Sequence, residues 1–184
     1  MANLKIVVGG HFGAGKTTLI KGLSQVKPVL TEAKLSGFGG DKEYYPEKTT
    51  TTVGSEWGKL TIGNLALHMF GIPGQSRFSF VWDSIGVGSK GYIFLIDSTK
   101  PKLWEDTMEQ IDFFMERHPA PFIIAANKQD LPDAKNLEEI KKAGFGSYNV
   151  PIVLISALKN INTQELIKKL LEEVIRHERK NKRV

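Results

Sequence analysis

The 184-residue chain predicts an α/β domain in which a mostly parallel central sheet of about six strands carries helices on both faces. Two observations support that expectation. Apolar runs rich in β-branched residues alternate with segments of helical period, the sequence sign of βαβ units. Three of the runs, 91–97, 121–126 and 150–155, are apolar almost throughout, as strands covered on both faces require.

Taken in order, Leu4 to Val8 reads as the first strand, ending in Gly9-Gly10, and Lys16 to about Gln25 as the first helix. Val26 to Thr52 is polar and broken by Pro28, Gly37, Gly39, Gly40 and Pro46, which predicts a long loop; loops of that length in a compact domain are usually functional or mobile. Val53 to Leu60 and Leu65 to Phe70 pair as a hairpin around the two-residue turn Gly63-Asn64. Helices are expected from Lys102 to Arg117, from Asn136 to about Ala143 and from about Asn162 to Arg179. In the last, Ile161, Leu166, Ile167, Leu170, Leu171, Val174 and Ile175 recur at spacings of three and four, a stripe that would pack on the sheet.

The length suits one domain, placed at 1–180, followed by a short basic tail, 181–184. Hydrophobic residues at 41% and charged residues at 24% are those of an ordinary globular protein. No apolar run is long enough to span a bilayer, and the start lacks a signal-peptide pattern, so a cytoplasmic location is expected. With no cysteine, disulfides, thiolate metal sites, prenylation and palmitoylation are excluded, and Ala2 excludes myristoylation. No intrinsic membrane anchor is therefore expected. Much of the net charge of +5 lies between Arg176 and Arg183, which reads as a solvated, frayed helix end in preference to a surface for acidic lipid or RNA. No nucleic-acid partner is expected.

Gly10-His11-Phe12-Gly13-Ala14-Gly15-Lys16-Thr17 fits G-x-x-x-x-G-K-[ST] and stands between the first strand and the first helix. In that context the backbone N–H groups converge on phosphate oxygens, and the helix N-terminus adds partial positive charge. Lys16 would neutralise the β- and γ-phosphates. Thr17 would offer its hydroxyl to Mg²⁺, which prefers oxygen ligands, and Thr18 belongs with the same nucleotide-binding set.

Asn127-Lys128-Gln129-Asp130 follows the apolar run 122–126, at the carboxyl edge of the predicted sheet. Asp130 can accept from the ring N–H and the exocyclic amino group of guanine together. At those two positions adenine presents an acceptor and nothing, and a site built for such donors rejects the analogue lacking them by roughly 10⁴–10⁵. Lys128 would lie along the base plane, Asn127 would tie this loop to the phosphate cradle, and a backbone N–H of Ser156-Ala157-Leu158 would meet the guanine oxygen. GTP and GDP are the expected ligands.

With these motifs in place, the chain resembles the Ras-superfamily small GTPases over nearly its whole length, so a P-loop GTPase domain is the expected fold. Thr52-Val53-Gly54, followed nineteen residues after Thr52 by Gly71-Ile72-Pro73-Gly74-Gln75, resembles Arf-type spacing, as does the run 126–132. The Pro-Gly-Gln form is more similar to the prokaryotic branch. The Arf-type N-terminal amphipathic helix is not expected, because the first strand begins at about residue 4.

The resemblance implies that Thr52 is the switch threonine that closes on Mg²⁺ and the γ-phosphate, with Thr51 the alternative register. Gly74 would donate its N–H to that phosphate, and Gln75 would orient the attacking water; Gln75 and Lys16 are the catalytic candidates. It also implies a GTP-hydrolysing switch with effectors, an activating protein and an exchange factor.

Two departures oppose fast hydrolysis. Gly71 replaces the aspartate of D-x-x-G, the carboxylate that would hold a water on Mg²⁺, and Phe12 is bulky where relatives have a small residue. The alternative reading is a weakly hydrolysing GTP-bound interaction module acting as a scaffold subunit. Asp97 reads as structural trim in preference to a Walker B carboxylate, and Arg77 as packing in preference to an arginine finger.

Overall fold

The structure, a computed structural model, describes residues 1–29, 32–34, 50–52 and 55–182, with 32–34, 50–52 and 76–78 described by their backbone alone. The strands are β1 (Ala2–Gly10), β2 (Glu32–Lys34), β3 (Thr50–Thr52), β4 (Glu56–Ile62), β5 (Leu65–Gly71), β6 (Gly91–Asp97), β7 (Phe122–Asn127) and β8 (Ile152–Leu154). The helices are α1 (Lys16–Leu23), α2 (Trp82–Gly86), α3 (Trp104–Arg117), α4 (Leu137–Lys142) and α5 (Thr163–Asn181).

Six strands form one sheet in the order β4-β5-β1-β6-β7-β8. Every neighbouring pair is parallel except β4 with β5, whose hairpin closes with Ile62 opposite Leu65 and Gly63-Asn64 as the turn. The expected α/β architecture, a mostly parallel six-stranded sheet with helices, is the one observed.

Strand alternation sorts the core into two layers of different chemistry. On one face Ile6, Val8, Leu67, Met69, Ile93, Leu95 and Ile123 meet Leu19, Ile20 and Leu23 of α1 and Leu166, Ile167, Leu170 and Val174 of α5. On the other, Val7, Tyr92, Phe94, Ile96, Phe122 and Ile124 meet Trp82, Trp104, Ile111 and Phe114. Each fully buried aliphatic or aromatic side chain contributes about 1.5–3 kcal/mol of transfer free energy, so both faces hold the sheet flat against its helices. Phe114 anchors the aromatic layer, with ring centroids 5.0 Å from Tyr92 and 6.1 Å from Phe94.

Local signals explain the element ends. α4 starts on a capping box in which Asn136 accepts from the Glu139 N–H and Glu139 returns the bond to the Asn136 N–H. Glu105 and Asp106 occupy the first turn of α3, and Arg117 its last, complementing the helix dipole.

Three expectations need correction. The segment 26–52 is not loop throughout: β2 and β3 pair antiparallel, Glu32 opposite Thr52, and Val29 exchanges backbone hydrogen bonds with Trp57 at 2.9 and 2.8 Å. Strands of three residues carry too little alternation to be read from sequence. The rest of that loop, 35–49, lies outside the described residues, as do Val53 and Gly54, and β4 begins at Glu56. In α5 the buried stripe is narrower than expected, because Ile161 and Ile175 are exposed and Leu171 is only partly covered.

A turn of 3-10 helix at Ser76–Val81 leading into α2 was not foreseen either. Its anchor is Trp82, whose Nε1 donates to the Pro73 carbonyl at 3.2 Å while its ring packs on Phe113 and Phe114. One tryptophan thus fixes a segment too short to show a helical period.

Candidate nucleotide site

β1 lies between β5 and β6, and the loop 10–15 leaves its carboxyl end for the N-terminus of α1. Ligands bind at such strand ends in open α/β sheets. Gly15 is in the left-handed region at φ 104°, and a side chain there would strike the Asn127 amide, so this position demands glycine twice over.

The loop is held from below by α3. Gln110 Oε1 accepts from the Gly10 N–H at 2.7 Å, and Thr107 Oγ1 accepts from the His11 N–H at 2.9 Å. Neither residue was among the sequence candidates. The signal was present, since both are polar positions on the apolar face that carries Trp104, Ile111 and Phe114. Fully buried polar side chains on a core face have backbone partners to satisfy.

His11 is wholly buried and locked in one tautomer. Its Nε2 accepts from the Asp97 N–H at 3.0 Å, which leaves Nδ1 to donate to the Phe12 carbonyl at 2.7 Å. Burial pushes its pKa down to about 3, and nearby Lys16 acts in the same direction. His11 is therefore a neutral brace between the loop and β6. Lys16 is 7% exposed, and its Nζ donates to the carbonyls of Gly10 at 2.7 Å and His11 at 2.9 Å, which holds the ammonium inside the loop.

At the other end, β7 delivers Asn127 beside this loop. Asn127 Nδ2 donates to the Ala14 carbonyl at 2.8 Å, and its Oδ1 accepts from the Ala157 N–H at 2.9 Å. One buried amide thus joins three segments remote in sequence. Lys128 sits at φ 67°, a conformation that non-glycine residues adopt mainly where the surroundings impose it. The turn is braced on both sides: Lys128 Nζ pairs with Asp97 Oδ2 at 2.6 Å, and Gln129 Nε2 donates to Ser98 Oγ at 2.8 Å.

Asp97 Oδ1 in turn accepts from the N–H and hydroxyl of Thr99, so both carboxylate oxygens serve this end of the site. That accords with the structural reading of Asp97. Asp130, half-buried, follows on the same turn. Ser156 is buried and accepts at Oγ from the Lys159 N–H, while Leu158 is exposed.

Toward α1, Thr17 Oγ1 donates to Glu56 Oε1, and Glu56 is 1% exposed at the start of β4. Glu56 escaped the sequence reading because a single acidic residue opening a strand has no pattern. Gly74 packs against the loop so closely that a Cβ on it would lie 2.5 Å from the Phe12 nitrogen and 2.7 Å from Lys16 Nζ. Phe12 and Gln75 are both buried, at 3% and 6% exposure. Thr52 ends β3, and its side chain, like that of Arg77, lies outside the described residues. Thr18 follows Thr17 on α1 and is half-buried.

The residues present suit a hard divalent cation. A threonine hydroxyl and a carboxylate are oxygen donors of the kind Mg²⁺ takes, and among the described residues no cluster of three or more His, Asp or Glu competes for a metal. Also among the described residues, no helix is long and apolar enough to cross a membrane.

Comparison with known proteins places similar chains beside this one. The family model described as the ADP-ribosylation factor family matches residues 1–174. ADP-ribosylation factor-like protein 6 of Caenorhabditis elegans is 29% identical over 146 residues, covering 77% of this chain and 68% of that protein. The uncharacterized protein MJ1339 of Methanocaldococcus jannaschii is 31% identical over 135 residues, 73% of this chain and 76% of its own length. ADP-ribosylation factor-like protein 4A of Homo sapiens is 29% identical over 143 residues, 74% of this chain and 64% of that protein.

Proposed function

Because the chain belongs to the ADP-ribosylation factor family, and so is a small GTP-binding switch GTPase, we propose that it binds GTP and GDP with Mg²⁺ and hydrolyses GTP slowly. The observation that carries the reading is Asn127, whose amide fastens the base loop at once to the phosphate loop and to the 156–158 turn. A bound nucleotide would span the elements it joins.

In this reading the loop 10–15 cradles the phosphates, and Lys16 leaves its carbonyl partners to neutralise the β- and γ-phosphates. Asp130 accepts from the guanine N–H and amino group, while the stem of Lys128, held by Asp97, lies along the base. Ala157 gives its N–H to Asn127, so the neighbouring amide of Leu158 is the one left to meet the guanine oxygen. When bound, Mg²⁺ would neutralise phosphate charge, held by Thr17 and Thr52. Gly74 would donate its N–H to the γ-phosphate, and Gln75 would orient the attacking water. The domain would comprise 1–180 with a basic tail at 181–184, act in the cytoplasm, and answer to effectors, an activating protein and an exchange factor.

The burial of Gln75 and Phe12, with Gly74 against the loop, favours the second reading to the extent that this arrangement withholds Gln75 from water: a GTP-bound interaction module that hydrolyses little. Single-turnover release of phosphate from GTP separates the two. The switch reading expects Mg²⁺-dependent hydrolysis that falls by about tenfold or more in Gln75→Leu, a change of about 1.4 kcal/mol in barrier. Equal rates for wild type and Gln75→Leu would remove Gln75 from the mechanism, and negligible hydrolysis by the wild type would leave the module.

A further inference from the structure

Gly71 lacks the carboxylate of D-x-x-G, yet the site does not lack a carboxylate. β4 and β5 run antiparallel with Glu56 directly opposite Gly71. A Cβ placed on Gly71 would lie 2.8 Å from Glu56 Oε2, 2.9 Å from the flexible end of Ile20 and 3.2 Å from Glu56 Cβ, so Glu56, with Ile20, fills the volume that a side chain at 71 would need. Its other oxygen accepts from the hydroxyl of Thr17, the residue placed above on the metal. At 1% exposure, this is a buried carboxyl group whose Oε1 meets Thr17 at the start of α1.

From that geometry we infer that Glu56 is the acidic residue of the Mg²⁺ site, supplied from β4 in place of the absent aspartate at 71. The inference rests on the nucleotide reading above and deepens it. The two positions compete for one space, because directly opposed residues project to the same face and a Cβ on Gly71 would stand only 3.2 Å from Glu56 Cβ. A carboxylate can reach Thr17 from either strand, but not from both at once. A carboxylate has about four acceptor positions, so the Thr17 bond is compatible with further donation from the water shell of a cation. Glu56 is thus a positioning residue for the metal, acting through Thr17 and through water.

The test uses the full chain loaded with a fluorescent GDP analogue, following its release as Mg²⁺ is titrated from excess EDTA. Partners of metal ligands typically change metal affinity by about 10–100-fold when mutated. Glu56→Gln, which keeps the shape and a hydrogen bond to Thr17, is expected to raise the Mg²⁺ concentration for half-maximal slowing by at least about tenfold. Release in EDTA should stay within about twofold of wild type. The double variant Glu56→Ala/Gly71→Asp moves the carboxylate back to β5 and is expected to recover most of the lost Mg²⁺ sensitivity, whereas Glu56→Ala alone is not.

A wild-type Mg²⁺ midpoint in Glu56→Gln overturns the inference, as does faster release of equal size with and without Mg²⁺, which marks a purely structural carboxylate. Failure of the wild type to bind the GDP analogue would instead overturn the nucleotide reading beneath it. Thermal unfolding of each variant identifies any that has not folded, and the isosteric Glu56→Gln and the double variant then decide independently.

Discussion

At the end of the site where the base is proposed to bind, the candidate residues stand in short runs: Asn127, Lys128, Gln129 and Asp130 on one turn, with Ser156, Ala157 and Leu158 on the next. They are cross-braced by bonds to Asp97, Ser98 and Ala14. At the end proposed for the metal, Thr17 and Glu56 meet across 39 positions of sequence, and the space they share exists because the residue opposite Glu56 is a glycine. A rigid base reader can be written as a contiguous motif because one turn presents all its groups. A carboxylate over a helix N-terminus can come from either of two paired strands, so its place in the sequence is free to move while its place in space is kept.

The sharpest way to break this comparison is Lys16→Ala, at the junction of the two ends. Hydrogen bonds to charged groups contribute about 1.5–3 kcal/mol each, so triphosphate affinity should fall by about a hundredfold or more. Calorimetry with GTP, accompanied by thermal unfolding to show an intact fold, measures it; unchanged affinity would remove the cradle from the account.

Next in size is Asp130→Asn, which should cost GTP about 10–100-fold while improving binding of the xanthine nucleotide, whose ring carbonyl replaces the amino group. A loss shared equally by both nucleotides would mean that Asp130 shapes the turn without reading the base.

His11 tests the bracing of the loop from β6. Its folded pKa, about 3, lies below the ordinary 6.5, so the unfolded chain binds the proton first as pH falls. The stability it supports is fully present above about 6.5 and is lost as pH drops toward about 3, with a slope of up to about 1.4 kcal/mol per pH unit. Urea unfolding of wild type and His11→Gln across that window should show the slope difference, and parallel profiles would deny the buried neutral histidine. The smallest effect concerns Phe12, whose replacement in Phe12→Gly should raise single-turnover hydrolysis severalfold by giving space to the attacking water. A slower variant would overturn the crowding argument.

Much of the fold was legible because its central strands are covered on both faces and therefore apolar throughout, as Gly91 to Asp97 shows, matching its expected bounds. The loops proposed to hold phosphate and base stand out in the sequence for a related reason: the proposed chemistry needs glycine, lysine, asparagine and aspartate at fixed local spacing. What escaped was long-range. Thr107 and Gln110 look like ordinary interruptions of an amphipathic helix until Gly10 and His11 are seen to lie on them. Trp82 looks like generic core until its indole reaches the Pro73 carbonyl. Glu56 has no motif at all, and only the strand register places it opposite Gly71.

The proposed function has this chain select guanine nucleotides through a base loop fastened to its phosphate loop. Direct competition of unlabelled GTP and ATP for the site, in the presence of Mg²⁺, tests it most simply. The account predicts displacement of bound fluorescent GDP by GTP at a concentration at least about a thousandfold below that needed for ATP, given the rejection that unpaired polar groups impose. Displacement by ATP and GTP at similar concentrations would contradict it.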